Sequence, residues 1–356
     1  MLQFWQGKSV LLTGHTGFKG SWMSLWLDQL GANVSGYALQ PSTTPSLFES
    51  CGLGYRMNSV LGDVADLERL KQTIQHSNPE IVFHLAAQPL VRQSYIDPVG
   101  TYMTNVMGTI HLLEAVRTCP SVKAVVIITT DKVYDNKEWL WSYREDERLG
   151  GKDPYSASKA CAELAVNSYR DSYFSDSSFD KHQVAIATAR AGNIIGGGDW
   201  SQDRLVPDSL KALELDQAIT LRNPHAVRPW QHVLAPVHGY LLLAQRLYEE
   251  GLDYQGAWNF GPLDQDAQPV LAVVEQLHQL WGSKIPVVVE SDQAKPEAQL
   301  LKLDSTKARS LLGWNPTWDL NMSLRKIVEW HRSYLAGGDV HKLTLKQIEE
   351  YARGVI

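Results

Sequence analysis

The sequence has few of the features that mark secreted, membrane-spanning or metal-binding proteins. It contains only 3 cysteines, Cys51, Cys119 and Cys161, without CxxC spacing. Such a sparse, odd set predicts free thiols in a reducing compartment rather than a disulfide framework. There is no apolar run of about eighteen residues, so we expect no transmembrane helix. The histidines are scattered without metal-ligand spacing, and we predict no metal site.

Excess basic charge is also missing. The formal net charge is -6, with 44% hydrophobic and 20% charged residues over 356 residues. These values are typical of an ordinary globular protein and argue against general nucleic-acid binding. The first residues lack the long apolar core of a secretion signal, so we expect a cytoplasmic location.

What the chain does have is a glycine turn between a predicted strand and a predicted helix. Residues 8–13 form a short apolar run, and residues 21–30 show helical apolar spacing. The Gly-x-x-Gly-x-x-Gly turn between them lets backbone N–H groups approach a pyrophosphate at the helix N-terminus. The predicted cofactor contacts in this turn are Gly14, His15, Thr16, Gly17, Phe18, Lys19 and Gly20.

The next strands add further candidate cofactor contacts. The second strand, residues 33–39, ends without the acid that binds the ribose of NAD and without an arginine for a 2′-phosphate, so it leaves NAD and NADP open. The third, residues 59–64, carries Asp63 as a candidate for the adenine edge. The fourth, residues 80–85, leads into small side chains that allow a flat cofactor to lie against the backbone. The predicted contacts here are Asp63, Val64, Leu85, Ala86, Ala87 and Gln88.

The fifth predicted strand, residues 122–129, ends in Thr129-Thr130-Asp131-Lys132. Ligands collect at the carboxyl ends of parallel strands in open α/β sheets. The repeated strand–helix alternation predicts an α/β fold with a doubly wound parallel sheet of Rossmann type. We expect a NAD-binding domain over residues 1–190 and about 228–262. A smaller C-terminal substrate-binding lobe would comprise about 191–227 and 263–356.

Tyr155 and Lys159 lie four residues apart in a predicted helix that Pro154 begins. A phenol beside a fixed ammonium is a candidate general base, because the positive charge favours phenolate and lowers the tyrosine pKa. By itself the pattern is common on solvated helix faces. Its meaning depends on the glycine turn and on the end of the fifth strand.

Taken in order, these motifs resemble the extended short-chain dehydrogenase/reductase superfamily over nearly the whole chain. The resemblance rests on Thr13-Gly14-x-x-Gly17-x-x-Gly20, Gly62-Asp63-Val64, His84-Leu85-Ala86-Ala87, Asn105-x-x-Gly108-Thr109, Thr130-Asp131, Tyr155-x-x-x-Lys159 and Arg190-x-x-Asn193. Within it, Thr130-Asp131 followed by Tyr134 resembles the nucleotide-sugar 4,6-dehydratases. Most of these have Asp-Glu where this chain has Asp131-Lys132. With lysine at this position, and with its sequence at residues 14–20, 196–200 and 226–232, the chain is similar to the CDP-glucose 4,6-dehydratase family.

The resemblance implies an activity and the roles of the residues. CDP-glucose would become CDP-4-dehydro-6-deoxyglucose plus water, for deoxysugar biosynthesis, with NAD tightly bound and recycled. Tyr155 would take the 4-hydroxyl proton, Lys159 would hold the nicotinamide ribose, and Thr130 would bond the 4-oxygen. Asp131 is the candidate acid for water loss. Lys132 is the candidate for the carbon 5 proton or, as an ammonium, for enolate stabilisation, and both roles stay open.

The same resemblance places substrate contacts and an assembly. The predicted substrate-binding residues are Asn105, Asn193, Arg204 and Arg228, with Arg222 a weaker candidate. Arginine suits bidentate phosphate oxygens. Relatives pair two long helices per subunit, here residues 101–117 and 155–173, so we expect a homodimer through a four-helix bundle, with a tetramer also open.

Two kinds of alternative remain at this level. Another nucleotide-sugar 4,6-dehydratase or a UDP-sugar 4-epimerase would use the same fold. An epimerase needs only Tyr155, Lys159 and Thr130, and has no use for the Asp131-Lys132 pair. A non-catalytic NAD-sensing protein could lose Tyr155 or Lys159, and both are present here.

Overall fold

The computed structural model of the chain describes residues 2–221, 223–283, 285–289 and 300–355. No helix within these ranges is both long enough and apolar enough to cross a membrane. The strands are β1 Ser9–Thr13, β2 Asn33–Ala38, β3 Asn58–Leu61, β4 Ile81–His84, β5 Ala124–Ile128, β6 Ala185–Arg190, β7 Ile194–Ile195, β8 Ile219–Leu221, β9 Val227–Pro229, β10 Gln231–His232, β11 Gly256–Asn259, β12 Ala267–Pro269 and β13 Val287–Val289.

Seven of these strands form one parallel sheet in the order β11-β6-β5-β4-β1-β2-β3. The order reverses between β1 and β4, so the connections leaving these two strands diverge and open a crevice at their carboxyl ends. This confirms the predicted doubly wound α/β class. Residues 257–259 return to the sheet beside β6.

Helices cover both faces of the sheet. Their bounds are α1 Leu2–Trp5, α2 Phe18–Gln29, α3 Leu47–Ser50, α4 Leu67–Ser77, α5 Val91–Ile96, α6 Pro98–Tyr102, α7 Gly108–Arg117, α8 Pro154–Ser172, α9 Phe179–His182, α10 Leu205–Glu214, α11 Leu234–Glu250, α12 Val270–Trp281, α13 Thr306–Leu312, α14 Leu320–Leu335 and α15 Val340–Arg353. A π-helical segment, Met103–Met107, joins α6 to α7.

Alternation along β1 explains why both faces are buried. Val10 and Leu12 join the apolar layer that includes α2, α11 and the C-terminal helices. Leu11 points the other way, into the layer made with α4, α7 and α8. Side chains alternate between faces along a strand, so a strand covered on both sides is apolar throughout.

A smaller group of elements lies over the carboxyl edge of the sheet. Its apolar cluster contains Val206 and Leu210 of α10, Val273 of α12 and Leu324 of α14. Trp330, later in α14, instead belongs to the main core. The predicted residue limits of the two domains stay a prediction. The fold places a crevice between the end of β5 and these smaller elements.

Candidate active site

The end of β5 forms a tight turn that presents Thr130, Asp131 and Lys132. Thr130 caps the 3-10 turn Asp131–Val133. Its Oγ1 donates to Asp131 Oδ1 at 3.0 Å and accepts from the Lys132 N–H at 3.4 Å. Two neighbouring side chains are therefore held together at the carboxyl edge of the sheet, where ligands bind in this fold.

Helix α8 brings Tyr155 to the same turn. Asp153 caps the helix, accepting from the Ser156 N–H at 2.9 Å, and Pro154 occupies its first turn. Tyr155 and Lys159 are 8% and 4% exposed, and Tyr155 is hydrogen-bonded to Thr130. The structure thus brings together the predicted oxidation pair and the predicted strand end.

Burial dominates the electrostatics of Tyr155 and Lys159. Desolvation raises the pKa of Tyr155 to about 12, although its hydrogen bond with Thr130 acts in the opposite direction. Burial also lowers the pKa of Lys159 to about 8, opposed by the negative charge of Glu163. Burial therefore raises the pKa of Tyr155, and the expected lowering of this pKa by Lys159 stays a prediction. Lys159 is itself desolvated, and its Nζ donates to the Ile128 carbonyl at 3.0 Å.

Asp131 lies beneath this pair and is 1% exposed. Its Oδ2 accepts from Asn193 Nδ2 at 3.3 Å. A Cβ on Gly192 would lie 2.1 Å from the Asp131 carboxyl carbon, so only glycine allows the chain to pass there. Asn193 has a φ of 48°, a left-handed conformation that asparagine tolerates better than most residues. The structure thus places the predicted substrate residue Asn193 directly on the predicted acid.

Lys132, in contrast, has an exposed side chain. From the sequence we left open a neutral lysine base, a role that depends on burial. That condition is not met. The side chain extends from a turn whose neighbours Asp131 and Val133 are buried, so it stands at the solvent side of the site.

A buried network behind the site fixes α8 against the sheet. Glu163, one turn beyond Lys159, accepts from Arg190 Nε at 2.9 Å and Nη2 at 3.0 Å. It also accepts from the Thr129 and Thr188 hydroxyls at 2.6 and 2.7 Å. Burial alone would raise the pKa of Glu163, but Arg190 and these donors hold it below its usual value. Thr129 adjoins Thr130, so the network links Lys159 to the strand end.

The glycine turn forms a cradle at the start of α2. Gly14 has a φ of 76°, and a Cβ there would lie 2.7 Å from the Ala86 nitrogen. A Cβ on Gly20 would lie 2.2 Å from the Gly14 oxygen. Gly17 caps α2 without a side-chain hydrogen bond, so within the described part of the chain no cap side chain bonds to the first amides of the helix. Such a helix start fits the pyrophosphate of a dinucleotide.

His15 and Thr16 line the side of this cradle that faces β2 and β3. His15 Nε2 lies 2.7 Å from Ser59 Oγ, and its Nδ1 has no hydrogen-bond partner among the described residues. Burial lowers the pKa of His15 to about 4, so the ring is neutral at pH 7. Thr16 Oγ1 donates to the Leu39 carbonyl at 2.8 Å. Asp63 is exposed just beyond β3, and its Oδ1 accepts from the Ala65 N–H at 2.9 Å.

The predicted contacts after β4 belong to a hydrogen-bonded loop. Asn105 Oδ1 accepts from the Gln88 N–H at 2.8 Å, and its Nδ2 donates to the Gln88 carbonyl at 3.1 Å and to Ser158 Oγ at 2.9 Å. This is the local reason for an asparagine in the middle of a helical run, and the helix is π-helical there. Leu85, Ala86 and Ala87 follow β4 beside Gly14. The substrate role of Asn105 stays a prediction, since its amide bonds to protein atoms.

The predicted arginines lie around the crevice in different settings. Arg204 precedes α10 and donates from Nη1 to Asp199 Oδ2 at 3.0 Å. Its charge lowers the pKa values of both Lys19 and Tyr155, so it faces the catalytic group. Arg228 lies in β9 and donates from Nη1 to the Val227 carbonyl at 3.0 Å. Arg222 lies outside the described residues.

Two side chains of the site were missed in the sequence. Tyr240 of α11 is fully buried, and its pKa is raised by burial and then by the charges of Asp131 and Tyr155. Nothing in the local pattern of α11 sets Tyr240 apart. Glu163 had a signal, because it follows Lys159 by four residues on the same face of α8.

Comparison with known proteins agrees with this geometry. The family model described as GDP-mannose 4,6 dehydratase matches residues 11–327. The protein named CDP-glucose 4,6-dehydratase from Salmonella typhimurium strain LT2 is 52% identical over 348 residues, covering 98% of this chain and 97% of that one. The protein named dTDP-glucose 4,6-dehydratase from Streptomyces griseus is 30% identical, covering 71% and 73% of the two chains.

Among solved structures, MoeE5 in complex with UDP-glucose and NAD has a TM-score of 0.77 at 25% identity, covering 92% of this chain and 99% of that one. The likenesses to the Salmonella protein and to MoeE5 extend over 98% and 92% of this chain, and therefore beyond the dinucleotide-binding half.

Proposed function

This chain belongs to the GDP-mannose 4,6 dehydratase family, and we propose that it converts CDP-glucose to CDP-4-dehydro-6-deoxyglucose and water. The nucleotide-sugar 4,6-dehydratase activity follows from the family match and from 52% identity to a CDP-glucose 4,6-dehydratase over nearly the full length. The choice of cytosine rests on that relative. One observation favours a dehydratase over an epimerase. The buried Asp131 carboxyl is hydrogen-bonded to Thr130, which also contacts Tyr155.

NAD fits the crevice as the cofactor. The cradle of Gly14, Gly17 and Gly20 and the uncapped start of α2 fit its pyrophosphate, and the partnerless Nδ1 of His15 faces the β2–β3 side. Lys159, fixed above the end of β5, would hold the nicotinamide ribose. A bound NAD would supply the hydride acceptor for carbon 4 of the sugar and the hydride donor for carbon 6. Asp63, Val64, Leu85 and Gln88 are further proposed contacts.

Tyr155 begins the reaction by accepting the proton of the sugar 4-hydroxyl. With a pKa of about 12, Tyr155 is almost entirely protonated at pH 7 and cannot accept a proton in that form. Catalysis therefore requires charges that stabilise the phenolate, which is the base. The Lys159 ammonium would supply positive charge at this point. Thr130, already hydrogen-bonded to Tyr155, orients the 4-oxygen and stabilises the charge that develops on it.

Asp131 then acts as the acid that expels the 6-hydroxyl as water. The 4-ketone acidifies carbon 5, and loss of the carbon 5 proton and the 6-hydroxyl gives the unsaturated sugar. Hydride return to carbon 6 and a proton returned to carbon 5 would then complete the product. Lys132 is the proposed partner at carbon 5. Its exposed side chain stands at the solvent side of the site, from which it would stabilise the enolate.

Asn193, Arg204 and Arg228 are proposed to hold the substrate diphosphate, with Asn105 as a supporting position. Arg204 lies near enough to the catalytic group to affect Tyr155, and its Asp199 partner orients its guanidinium. Guanidinium groups match phosphate oxygens in pairs. Asn193 joins this part of the crevice to Asp131.

A substrate panel tests the assignment. The purified protein is incubated with NAD and CDP-, dTDP-, UDP- or GDP-glucose or GDP-mannose, and 4-keto-6-deoxy products are measured by mass spectrometry and alkaline absorbance. We expect the kcat/KM for CDP-glucose to exceed that for each of the other sugar nucleotides by at least about a hundredfold. Turnover of another sugar nucleotide but not of CDP-glucose would overturn the substrate. A 4-epimer as the only product would overturn the class.

We also propose a cytoplasmic homodimer that pairs α8 and the α6–α7 region of two subunits. Exposed apolar side chains lie on both elements, including Met103, Met107 and Leu164. Met103 and Met107 are four residues apart, and α6 and α7 both pack against α8. An apolar face of this kind is typical of a helix–helix interface between subunits.

A further inference from the structure

Thr130 joins Tyr155 to Asp131 by hydrogen bonds that run in one direction. Its Oγ1 donates its proton to Asp131 Oδ1 at 3.0 Å, so in the bond between Thr130 and Tyr155 the phenol is the donor. The Lys132 N–H, 3.4 Å from the same oxygen, is also a donor. The side chains of Tyr155, Thr130 and Asp131 are all buried. A proton on Tyr155 therefore has a continuous hydrogen-bonded path to the Asp131 carboxylate.

The other groups around Asp131 are poorly suited to pass on a proton. Within the described ranges, its second side-chain hydrogen bond comes from Asn193 Nδ2 at 3.3 Å, and an amide N–H is a donor that keeps its proton. Lys19 and Tyr240 respond to the charge of Asp131, but in the same ranges they are hydrogen-bonded to each other and not to it. Thr130 is thus the neighbour through which Asp131 can gain a proton without solvent.

The two ends of this path are also coupled by charge. Burial raises the pKa of Tyr155 to about 12, the hydrogen bond with Thr130 acts against this, and the negative charge of Asp131 raises the pKa further. The phenolate is therefore favoured when Asp131 is protonated, and the phenol is favoured when Asp131 is ionised. Tyr155 and Asp131 behave as a pair that holds one proton, and Thr130 lies between its two positions.

The proton balance of the proposed reaction requires this proton to move. Tyr155 takes the proton of the sugar 4-hydroxyl, Asp131 gives its proton to the departing 6-hydroxyl, and the carbon 5 proton leaves and returns. Each turnover therefore ends with a phenol at Tyr155 and a carboxylate at Asp131. The next turnover needs a phenolate and a carboxylic acid at the same positions. Since no proton is gained or lost overall, one transfer from Tyr155 to Asp131 restores the site.

We propose that Thr130 is the relay for this transfer, a step that rests on the proposed function for the roles of Tyr155 and Asp131. The phenol O–H bond breaks as its proton bonds to the Thr130 oxygen, and the proton of Thr130 bonds to Asp131 Oδ1. The result is a phenolate and a neutral carboxylic acid. Lys159, one turn further along α8, would stabilise the phenolate. The proton taken from the 4-hydroxyl in one turnover thus leaves in the water of the next.

The buffer dependence of turnover tests the relay. Thr130→Val removes the hydroxyl at similar volume, and Thr130→Ser retains it. Without the relay, Tyr155 and Asp131 must each exchange protons with solvent, and small buffer acids and bases accelerate that exchange. In Thr130→Val we expect kcat at pH 7 and constant ionic strength to rise about tenfold between low and high imidazole concentration. Wild type, Thr130→Ser and Thr118→Val, an exposed control, should show no such rise.

A pH-indicator dye in weakly buffered solution gives a second readout. When wild-type protein is mixed with CDP-glucose and NAD in a stopped-flow instrument, we expect no proton release during oxidation of carbon 4. Thr130→Val should transiently release up to about one proton per site.

Three results would contradict these expectations. A lower kcat in Thr130→Val without buffer dependence or proton release would assign the hydroxyl to orientation of the 4-oxygen alone and overturn the relay. Proton release by wild type would also overturn it, even if Thr130→Val were inactive. A wild-type protein that turns over no sugar nucleotide would overturn the proposed function and the relay together.

Discussion

At the scale of single residues, the proposed mechanism divides two tasks between neighbouring side chains. Tyr155, bonded to Thr130, is proposed to transfer the proton at carbon 4. Asp131, bonded to Thr130 and Asn193, is proposed to act in the later loss of water. Because Thr130 contacts both, the oxidation and elimination groups share one hydrogen-bonded turn.

The division predicts different defects in two variants. Asp131→Asn should still oxidise carbon 4, because Tyr155 and Lys159 remain, but should slow full turnover about 10²- to 10⁴-fold by removing the acid. Tyr155→Phe should lose the oxidation itself. Single-turnover absorbance of NADH and product analysis distinguish the two. Tyr173→Phe, an exposed phenol at the end of α8, is the control. Full turnover by Asp131→Asn at the wild-type rate would exclude Asp131 as the acid.

The buried charge of Lys159 should lower the free energy of unfolding of the protein. Its folded pKa of about 8 lies below the 10.5 of an ordinary lysine, so below pH 8 the folded protein holds a buried ammonium at a cost. That cost is about 3 kcal/mol and is relieved as the pH rises from about 8 to 10.5, while unfolded lysine still binds the proton.

Lys159→Met should therefore raise the free energy of unfolding at pH 7 by about 2 kcal/mol, after loss of the bond to the Ile128 carbonyl. The gain should shrink by about 2 kcal/mol at pH 10. Urea unfolding at the two pH values measures it. Lys346→Met should show no such pH dependence, and a destabilised Lys159→Met at pH 7 would contradict the charge argument.

At the scale of elements, the site depends on how α8 meets β5. The Asp153 cap fixes where α8 begins, and the Glu163–Arg190 pair fixes its far side against β6. Both carboxylates thus determine the position of Tyr155 and Lys159 without facing the substrate crevice themselves.

Removal of the α8 cap should affect activity as well as stability. Asp153→Ala leaves the Ser156 N–H without its acceptor and should cost about 1 kcal/mol of unfolding free energy. Asp319→Ala removes the equivalent cap of α14, whose Oδ1 accepts from the Met322 N–H at 2.7 Å. The two variants should lose similar stability in urea unfolding. Only Asp153→Ala should lower kcat, and equal kcat values would mean that the cap does not position Tyr155.

At the scale of the whole molecule, the carboxyl edge of the sheet supplies two strand ends that line one crevice. The cofactor cradle follows β1, and the catalytic turn follows β5 two strands away, with β4 between them. The smaller group of elements around α10, α12 and β9 brings Arg204 and Arg228 over this edge. The external faces of α6, α7 and α8 remain for assembly.

The proposed dimer predicts the effect of one charged substitution. Leu164 on α8 is 56% exposed, so Leu164→Glu should not disturb the subunit core. It would place a carboxylate within the proposed interface and should convert dimers to monomers. Leu335→Glu on α14, at 43% exposure, is the matched control. Sedimentation velocity at several protein concentrations measures the change, and a dimeric Leu164→Glu protein would place the interface elsewhere.

Local patterns in the sequence determined much of the architecture. The apolar runs predicted the parallel strands, because a strand covered on both faces has no polar side. The glycine turn and the Pro154 start of α8 also followed from local rules. The motifs identified the family, and the roles that they suggest for Thr130, Asp131, Tyr155 and Lys159 stay predictions.

Only the tertiary structure decided the environment of those groups. Desolvation, and not the nearby lysine, controls the pKa of Tyr155, and Lys132 lies exposed while Asp131 is buried. The approach of Lys19 to Tyr240 joins residues more than 200 positions apart. Burial and long-range charge depend on which elements pack together, and a local sequence pattern carries no measure of either.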